Sequence, residues 1–328
     1  MRRTNTAAAL LAASGVLHSG CALPTSFRLA SPEEALVYQP SGSWAGEIET
    51  PRLDPQDITI ITEDDVALHG WYCPVENPQA VVLFAHGNAG AVPQRWPRLR
   101  WLNEQLNVSV LAFDYRGYGR SEGRPSEAGL IADAQAASYR LASLAGVEVA
   151  DVVLYGRSLG GAVMVQLAAE QGARGVILES TFTSLPEVAD HKLPLLSPGR
   201  WMQNEFDSLS RIAEYRGPLL IAHGEKDKLA PADMGRRLFA AANEPKRFYA
   251  EPFAGHNWTP TEGYRDAMVA FFDSLPAGPS GAGRRGRDVA KGPAILDQTP
   301  NDADSQAAPA RRVAFEADEK RSRDRRSD

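Results

Sequence analysis

The chain has 328 residues, 43% of them hydrophobic and 23% charged, the composition of a soluble globular protein rather than a fibrous or disordered one. Its formal net charge of -6 argues against a nucleic-acid binder, which usually presents a basic face. The 2 cysteines, Cys21 and Cys73, exclude a disulfide framework, and no Cys/His run has the spacing of a metal site.

Met1-Arg2-Arg3 is basic, Ala7 to Leu17 is mostly apolar, and Ser19-Gly20 places small residues before Cys21. A basic start, a short apolar run and a small-residue cleavage point make up an export signal. The run is shorter than the roughly 20 residues that cross a bilayer. Cysteine directly after the small residues resembles a bacterial lipobox, with His18 where a small residue is more usual. The expectation is a signal peptide over 1–20 and lipid on Cys21, hence a membrane-anchored protein of the cell envelope. Secretion and a cytoplasmic location are the alternatives. Residues 21–56, rich in Pro, Ser and Gly, read as a tether and irregular lead-in to a domain over 57–275.

Residues 57–62 and 66–72 are strand-like, and Glu63-Asp64-Asp65 between them predicts a hairpin. His69 in the second strand reads as structural, and Cys73 after it as a buried free thiol. Ala80 to Ala85 is the continuous apolar run of a strand buried on both faces, and it delivers His86-Gly87-Asn88-Ala89-Gly90. A helix is expected around 94–106, then a buried strand over 108–113 and an Ala-rich helix over 126–145. Asp114, after that strand, is expected to pair with Arg116 and brace its loop. Val152 to Tyr155 is a strand running into Gly156-Arg157-Ser158-Leu159-Gly160, with a helix after it. A strand over 175–178 follows. Prolines and apolar groups in 182–210 suggest a small cap over the strand ends. A strand over 219–222, a helix over 232–242, a last strand over 246–250 and a helix over 262–274 close the domain. Residues 276–328 have few apolar groups and mixed charge, so the tail is expected to be disordered.

Strands alternating with helices imply parallel βαβ units with helices on both faces. Ligands of such sheets bind outside the carboxyl ends of the strands. Ser158 sits there, in a Gly-x-Ser-x-Gly turn between strand and helix, the context in which that motif presents a nucleophile. A serine hydroxyl needs a base, and the base needs an orienting acid; behind such an elbow they follow in the order acid, then histidine. His256, in the Gly-containing loop after the last strand, is the candidate base. Asp227, in the loop after the 219–222 strand, is the candidate acid, with Glu179 at the previous strand end its rival. Leu159 N–H, at a helix N-terminus, is one candidate oxyanion donor. The loop after Ala85 supplies the other, with Asn88 first and Ala89 behind it; His86 reads as structural.

Together His86-Gly87-Asn88-Ala89-Gly90, Asp114-Tyr115-Arg116-Gly117-Tyr118-Gly119, Gly156 to Gly161, Glu179 to Ser184, Phe206 to Leu209, His223 to Pro231 and Gly255-His256-Asn257 resemble the Bem46-like group of α/β-hydrolases. The resemblance spans about 40–275. It implies the α/β-hydrolase fold: a mostly parallel sheet with helices on both faces, an antiparallel hairpin at one edge and a small cap. It implies a triad of Ser158, Asp227 and His256, no cofactor and no metal, acting on a small-molecule or lipid-like ester or thioester. The same triad serves an amidase or peptidase. A non-catalytic envelope lipoprotein keeping the fold as a binding module is the reading from another class. Export sits badly with the depalmitoylating role of several such hydrolases, whose acyl-proteins are cytoplasmic.

Overall fold

The computed structural model describes residues 37–39 and 55–276. The signal peptide, Cys21, most of the lead-in and the tail beyond Pro276 lie outside these residues.

The expected hairpin forms. β1 (Gln56–Ile61) runs antiparallel to β2 (Ala67–Cys73), with Ile60 opposite Leu68. Along β1 only Ile58 and Ile60 are buried, the alternation of a strand with one wet face. Six further strands complete one sheet: β3 (Ala80–Ala85), β4 (Val108–Phe113), β5 (Val152–Arg157), β6 (Gly175–Glu179), β7 (Leu219–Gly224) and β8 (Lys246–Glu251). Their order is β1-β2-β4-β3-β5-β6-β7-β8; β2 pairs antiparallel with β4, and every pairing from β4 to β8 is parallel. Strands β3, β4, β6 and β7 are buried along their whole length, which is why their sequences are continuous apolar runs.

Successive side chains leave a strand on opposite faces, so each run feeds two cores. Val82, Phe84, Val110, Ala112, Val153 and Tyr155 pack against α1 (Trp96–Leu106) and the C-terminal helix Glu262–Asp273. Leu83, Ala85, Leu111, Phe113 and Leu154 pack against α2 (Glu127–Ala145) and α3 (Leu159–Gln171). The first seven positions of α3 and three beyond are all buried, so it reads as apolar all round. Ser126 caps α2 by accepting from Gly129 N, and Gly146 ends it at φ 67°.

The 182–210 segment forms α4 (Leu185–Lys192), a 3-10 turn at Pro198–Trp201 and a short α5 (Ser208–Arg211). Several of its apolar groups stay in solvent: Leu195, Leu196 and Trp201 are exposed. Two helices remain, α6 (Ala232–Ala241) and α7, the C-terminal Glu262–Asp273 already named.

One expectation changes. Asp114 does not pair with Arg116. Its carboxylate meets His69 Nδ1 at 3.1 Å and accepts Val92 N at 2.7 Å. Arg116 instead holds Asp64 and Asp133, each at 2.8 Å. Within the lead-in, Val37 and Tyr38 are buried and Gln39 bridges Ala89.

Candidate active site

Ser158 occupies the turn from β5 into α3 at φ 53° and ψ -119°. A side chain in that region costs on the order of 1–3 kcal/mol, and it persists only where neighbours over-determine it. Glycines allow the close passage. A Cβ on Gly156 would lie 2.2 Å from Gly160 O, and one on Gly160 would lie 2.2 Å from Ala85 O. Ser158 N donates to Glu179 O at 2.9 Å, and Thr181 Oγ1 donates to Ser158 O at 2.9 Å. These bonds hold the elbow to the end of β6.

The loop after β8 brings His256 Nε2 to 3.0 Å from Ser158 Oγ. His256 Nδ1 lies 2.8 Å from Asp227 Oδ2. The other oxygen, Oδ1, accepts Leu229 N at 2.8 Å and Ala230 N at 3.0 Å. His223 adds a fourth neighbour, its Nε2 3.3 Å from Oδ2 while it donates to Ala230 O at 2.8 Å. Burial raises the Asp227 pKa, but hydrogen bonds from His223 and His256 outweigh it and hold the carboxyl well below the usual range. The carboxylate is therefore ionised at neutral pH. An ionised carboxylate only accepts, so this network assigns the His256 proton to Nδ1 and leaves the Nε2 lone pair facing Ser158.

Glu179, the rival acid, is fully buried and does not reach His256. Arg98 grips it at 3.0 and 3.1 Å, Arg157 Nε stands 3.2 Å away, and Tyr155 OH donates to it. The same arginines reach on to the histidine loop. Arg157 donates to His256 O at 3.1 Å and to Asn257 Oδ1; Arg98 donates to Trp258 O at 3.1 Å. Glu179 thus acts as the buried anchor of that loop.

Asn88 spends its side chain on structure. Its amide oxygen accepts Tyr118 OH at 2.8 Å and Gln39 N at 3.2 Å, and Nδ2 donates to Val37 O. Its backbone N–H has no acceptor among the described residues. His86 explains where that N–H points. Burial lowers the His86 pKa to about 4, so the ring is neutral, and Nδ1 donates to Gly87 O at 2.7 Å. A trans peptide sets C=O and N–H on opposite sides, so with Gly87 O turned to His86 the Asn88 N–H faces away from that ring. Leu159 N–H, at the first position of α3, has no intrahelical acceptor either. A Cβ on Gly87 would sit 3.4 Å from Ser158 Cβ, so the Asn88 loop borders the elbow closely. Ala89, the second choice for a donor, is exposed and pairs with Gln39.

An open cleft of about 550 Å³ adjoins these residues, lined by Arg157, Glu251, Phe253, Asn257, Trp258 and Thr261 among others. It flanks the elbow through Arg157 and Asn257 and contains neither Ser158 nor His256. Among the described residues no cluster of three or more His, Cys, Asp or Glu is placed to hold a metal ion.

The model for the Alpha/beta hydrolase family matches residues 82–321. The chain belongs to that family. Among its relatives, this α/β-hydrolase is 39% identical over 229 residues to Rv2307c of Mycobacterium tuberculosis, covering 69% of this chain and 81% of that one. It is 32% identical over 264 residues to the alpha/beta hydrolase domain-containing protein WAV2 of Arabidopsis thaliana, covering 72% and 83%. Among solved structures it resembles the Pyrococcus furiosus esterase Pf2001, with a TM-score of 0.60 at 20% identity over 73% of this chain and 98% of that one. At that identity the likeness speaks to the fold alone.

Sequence reasoning missed three features of the candidate site. His223 stands four residues before Asp227, a spacing that was visible. The His86 contact with Gly87 O needed only its neighbour. The reach of Arg98 and Arg157 across to the His256 loop had no local signal.

Proposed function

We propose that this α/β-hydrolase is a serine hydrolase of the Bem46-like group that cleaves carboxylic esters, lipid-like esters or thioesters among them, through an acyl-enzyme. The observation that carries the reading is the unbroken series from Asp227 to His256 at 2.8 Å and from His256 to Ser158 at 3.0 Å. His256 Nε2 takes the Ser158 proton as Oγ attacks the acyl carbon, then returns it to the departing alcohol. Asp227 keeps the ring oriented and offsets its charge while it is protonated. The N–H groups of Asn88 and Leu159 receive the oxyanion, a contribution of about 3–4 kcal/mol for one such donor. Water then repeats the sequence on the acyl-enzyme, with His256 again the base.

The test is Ser158→Ala beside the native protein. Hydrolysis of p-nitrophenyl butyrate and labelling by a fluorophosphonate should both vanish, with kcat falling by about 10⁶, while the circular dichroism spectrum stays native. A Ser158→Ala protein within tenfold of native activity removes Ser158 as nucleophile. A native protein that takes no label supports the binding-module reading.

We also propose that the chain is cleaved before Cys21 and carries lipid there. Two or more acyl chains anchor stably where one does not, each buried CH₂ contributing about 0.8 kcal/mol. Intact mass and membrane fractionation of the native protein beside Cys21→Ser check this. A soluble native protein with an unmodified Met1 refutes it.

A further inference from the structure

Three arginines, Arg95, Arg98 and Arg157, flank the elements that carry the candidate site, and one carboxylate serves two of them. Arg98 and Arg157 share Glu179. Arg95 has no carboxylate within 4.0 Å among the described residues. It ends the 3-10 turn Val92–Arg95, directly after the His86–Gly90 loop. Among the described residues one hydrogen bond is made, from Nη2 to Ala89 O; Nη1 makes none, and Nε is buried without an acceptor. Burial first, and then the like charge of Arg157, lower its pKa. Asp114 exerts a weaker pull, and its oxygens already serve Val92 N and His69.

A half-buried guanidinium with no carboxylate partner among the described residues, and with the like charge of Arg157 acting on it, is a costly arrangement. Its bond to Ala89 O sets the guanidinium against the loop whose Asn88 N–H is the proposed oxyanion donor, next to where a substrate acyl group would lie. The guanidinium fork matches carboxylate and phosphate geometry, and four of its five donors are unused. We infer that Arg95, backed by Arg157, receives an anionic group on the substrate, a carboxylate or a phosphate, so that the hydrolase acts on esters of acidic molecules. The inference rests on the serine-hydrolase reading for its chemistry, though not for the binding of the anion. The rival is that Arg95 only braces the loop through Ala89 O.

Two matched substrate pairs test it on the full chain. For an acid on the acyl side the pair is mono-p-nitrophenyl glutarate against p-nitrophenyl pentanoate. For a phosphate on the alcohol side it is 1-butanoylglycerol 3-phosphate against 1-butanoylglycerol. In one pair the anionic member should have the higher kcat/KM by about tenfold or more, the size expected of a charge-assisted bond, and which pair responds identifies the source of the charge. Arg95→Gln should cut that ratio by about tenfold, and Arg95→Lys should restore part of it. Neutral members preferred in both pairs, or a ratio unmoved by Arg95→Gln, overturns the inference. Calorimetric binding of glutarate and of glycerol 3-phosphate separates the two readings. Turnover of neither pair, with binding weakened in Arg95→Gln, sinks the hydrolase and keeps the anion receptor. Neutral esters cleaved by a native protein that binds neither anion keeps the hydrolase and sinks the receptor. If Arg95→Gln does not fold, Arg95→Lys and the native binding measurement decide.

Discussion

Replacing Asp227 by asparagine separates its two duties. Oδ1 accepts two backbone N–H groups, from Leu229 and Ala230. Oδ2 accepts His256 Nδ1 and stands 3.3 Å from His223 Nε2. Asparagine has one oxygen and one NH₂. The two backbone donors claim the oxygen, so the NH₂ takes the Oδ2 position and faces both histidines. His256 Nδ1 must then accept, its proton moves to Nε2, and Nε2 can no longer take the Ser158 proton. The amide for carboxylate exchange costs about 10⁴ in kcat in the type serine protease, a barrier rise of about 5 kcal/mol. Stability should also fall, by about 1.5–3 kcal/mol for a charge-assisted bond. The sign with pH follows from a depressed carboxyl: its contribution is present above the unfolded value and lost as pH falls through the folded one. The stability gap between native protein and Asp227→Asn should therefore be full at pH 7 and shrink in acid. The assays are kcat on p-nitrophenyl butyrate and urea unfolding at pH 7 and below pH 4. A variant within tenfold of native kcat, or a gap that grows in acid, refutes the reasoning.

Glu179→Ala strands Arg98 and Arg157, whose side chains are only 10% and 15% exposed, without their shared carboxylate. Breaking such a buried pair costs about 3–5 kcal/mol, to be read by urea unfolding; a loss under 1 kcal/mol would mean that Glu179 anchors nothing. His69 titrates in the opposite sense to Asp227. Burial lowers its pKa, but hydrogen bonds with Asp114 and Asp57 prevail and raise it above the ordinary 6.5. Its stabilisation is full below 6.5 and lost as pH rises through the folded value, so His69→Gln should flatten the decline in melting temperature on the alkaline side of 6.5. An unchanged decline would assign the slope to other groups.

Much of the fold was legible because it is written locally. Continuous apolar runs over 80–85 and 108–113 mark strands covered on both faces, and the alternation along β1 marks an edge. Gly156 and Gly160 announce the elbow, since no other residue clears the backbone that passes there. Chain order could rank Asp227 above Glu179 but could not choose, because both follow buried strands. Distance separates them in the folded chain: the loop after β7 brings Asp227 to 2.8 Å from His256, while Glu179 meets Arg98, Arg157 and Tyr155 on α1 and β5. The same holds for Asp114, whose partner His69 is 45 residues away in sequence and beside it in the sheet. Charge accounting is also non-local. Nothing in 86–100 reveals that Arg98 has an acid, 81 residues distant, and that Arg95 has none among the described residues. Periodicity and turn chemistry report which face and which corner a residue occupies; which side chain waits there is set by the crossing of distant strands, and only the folded sheet brings them together.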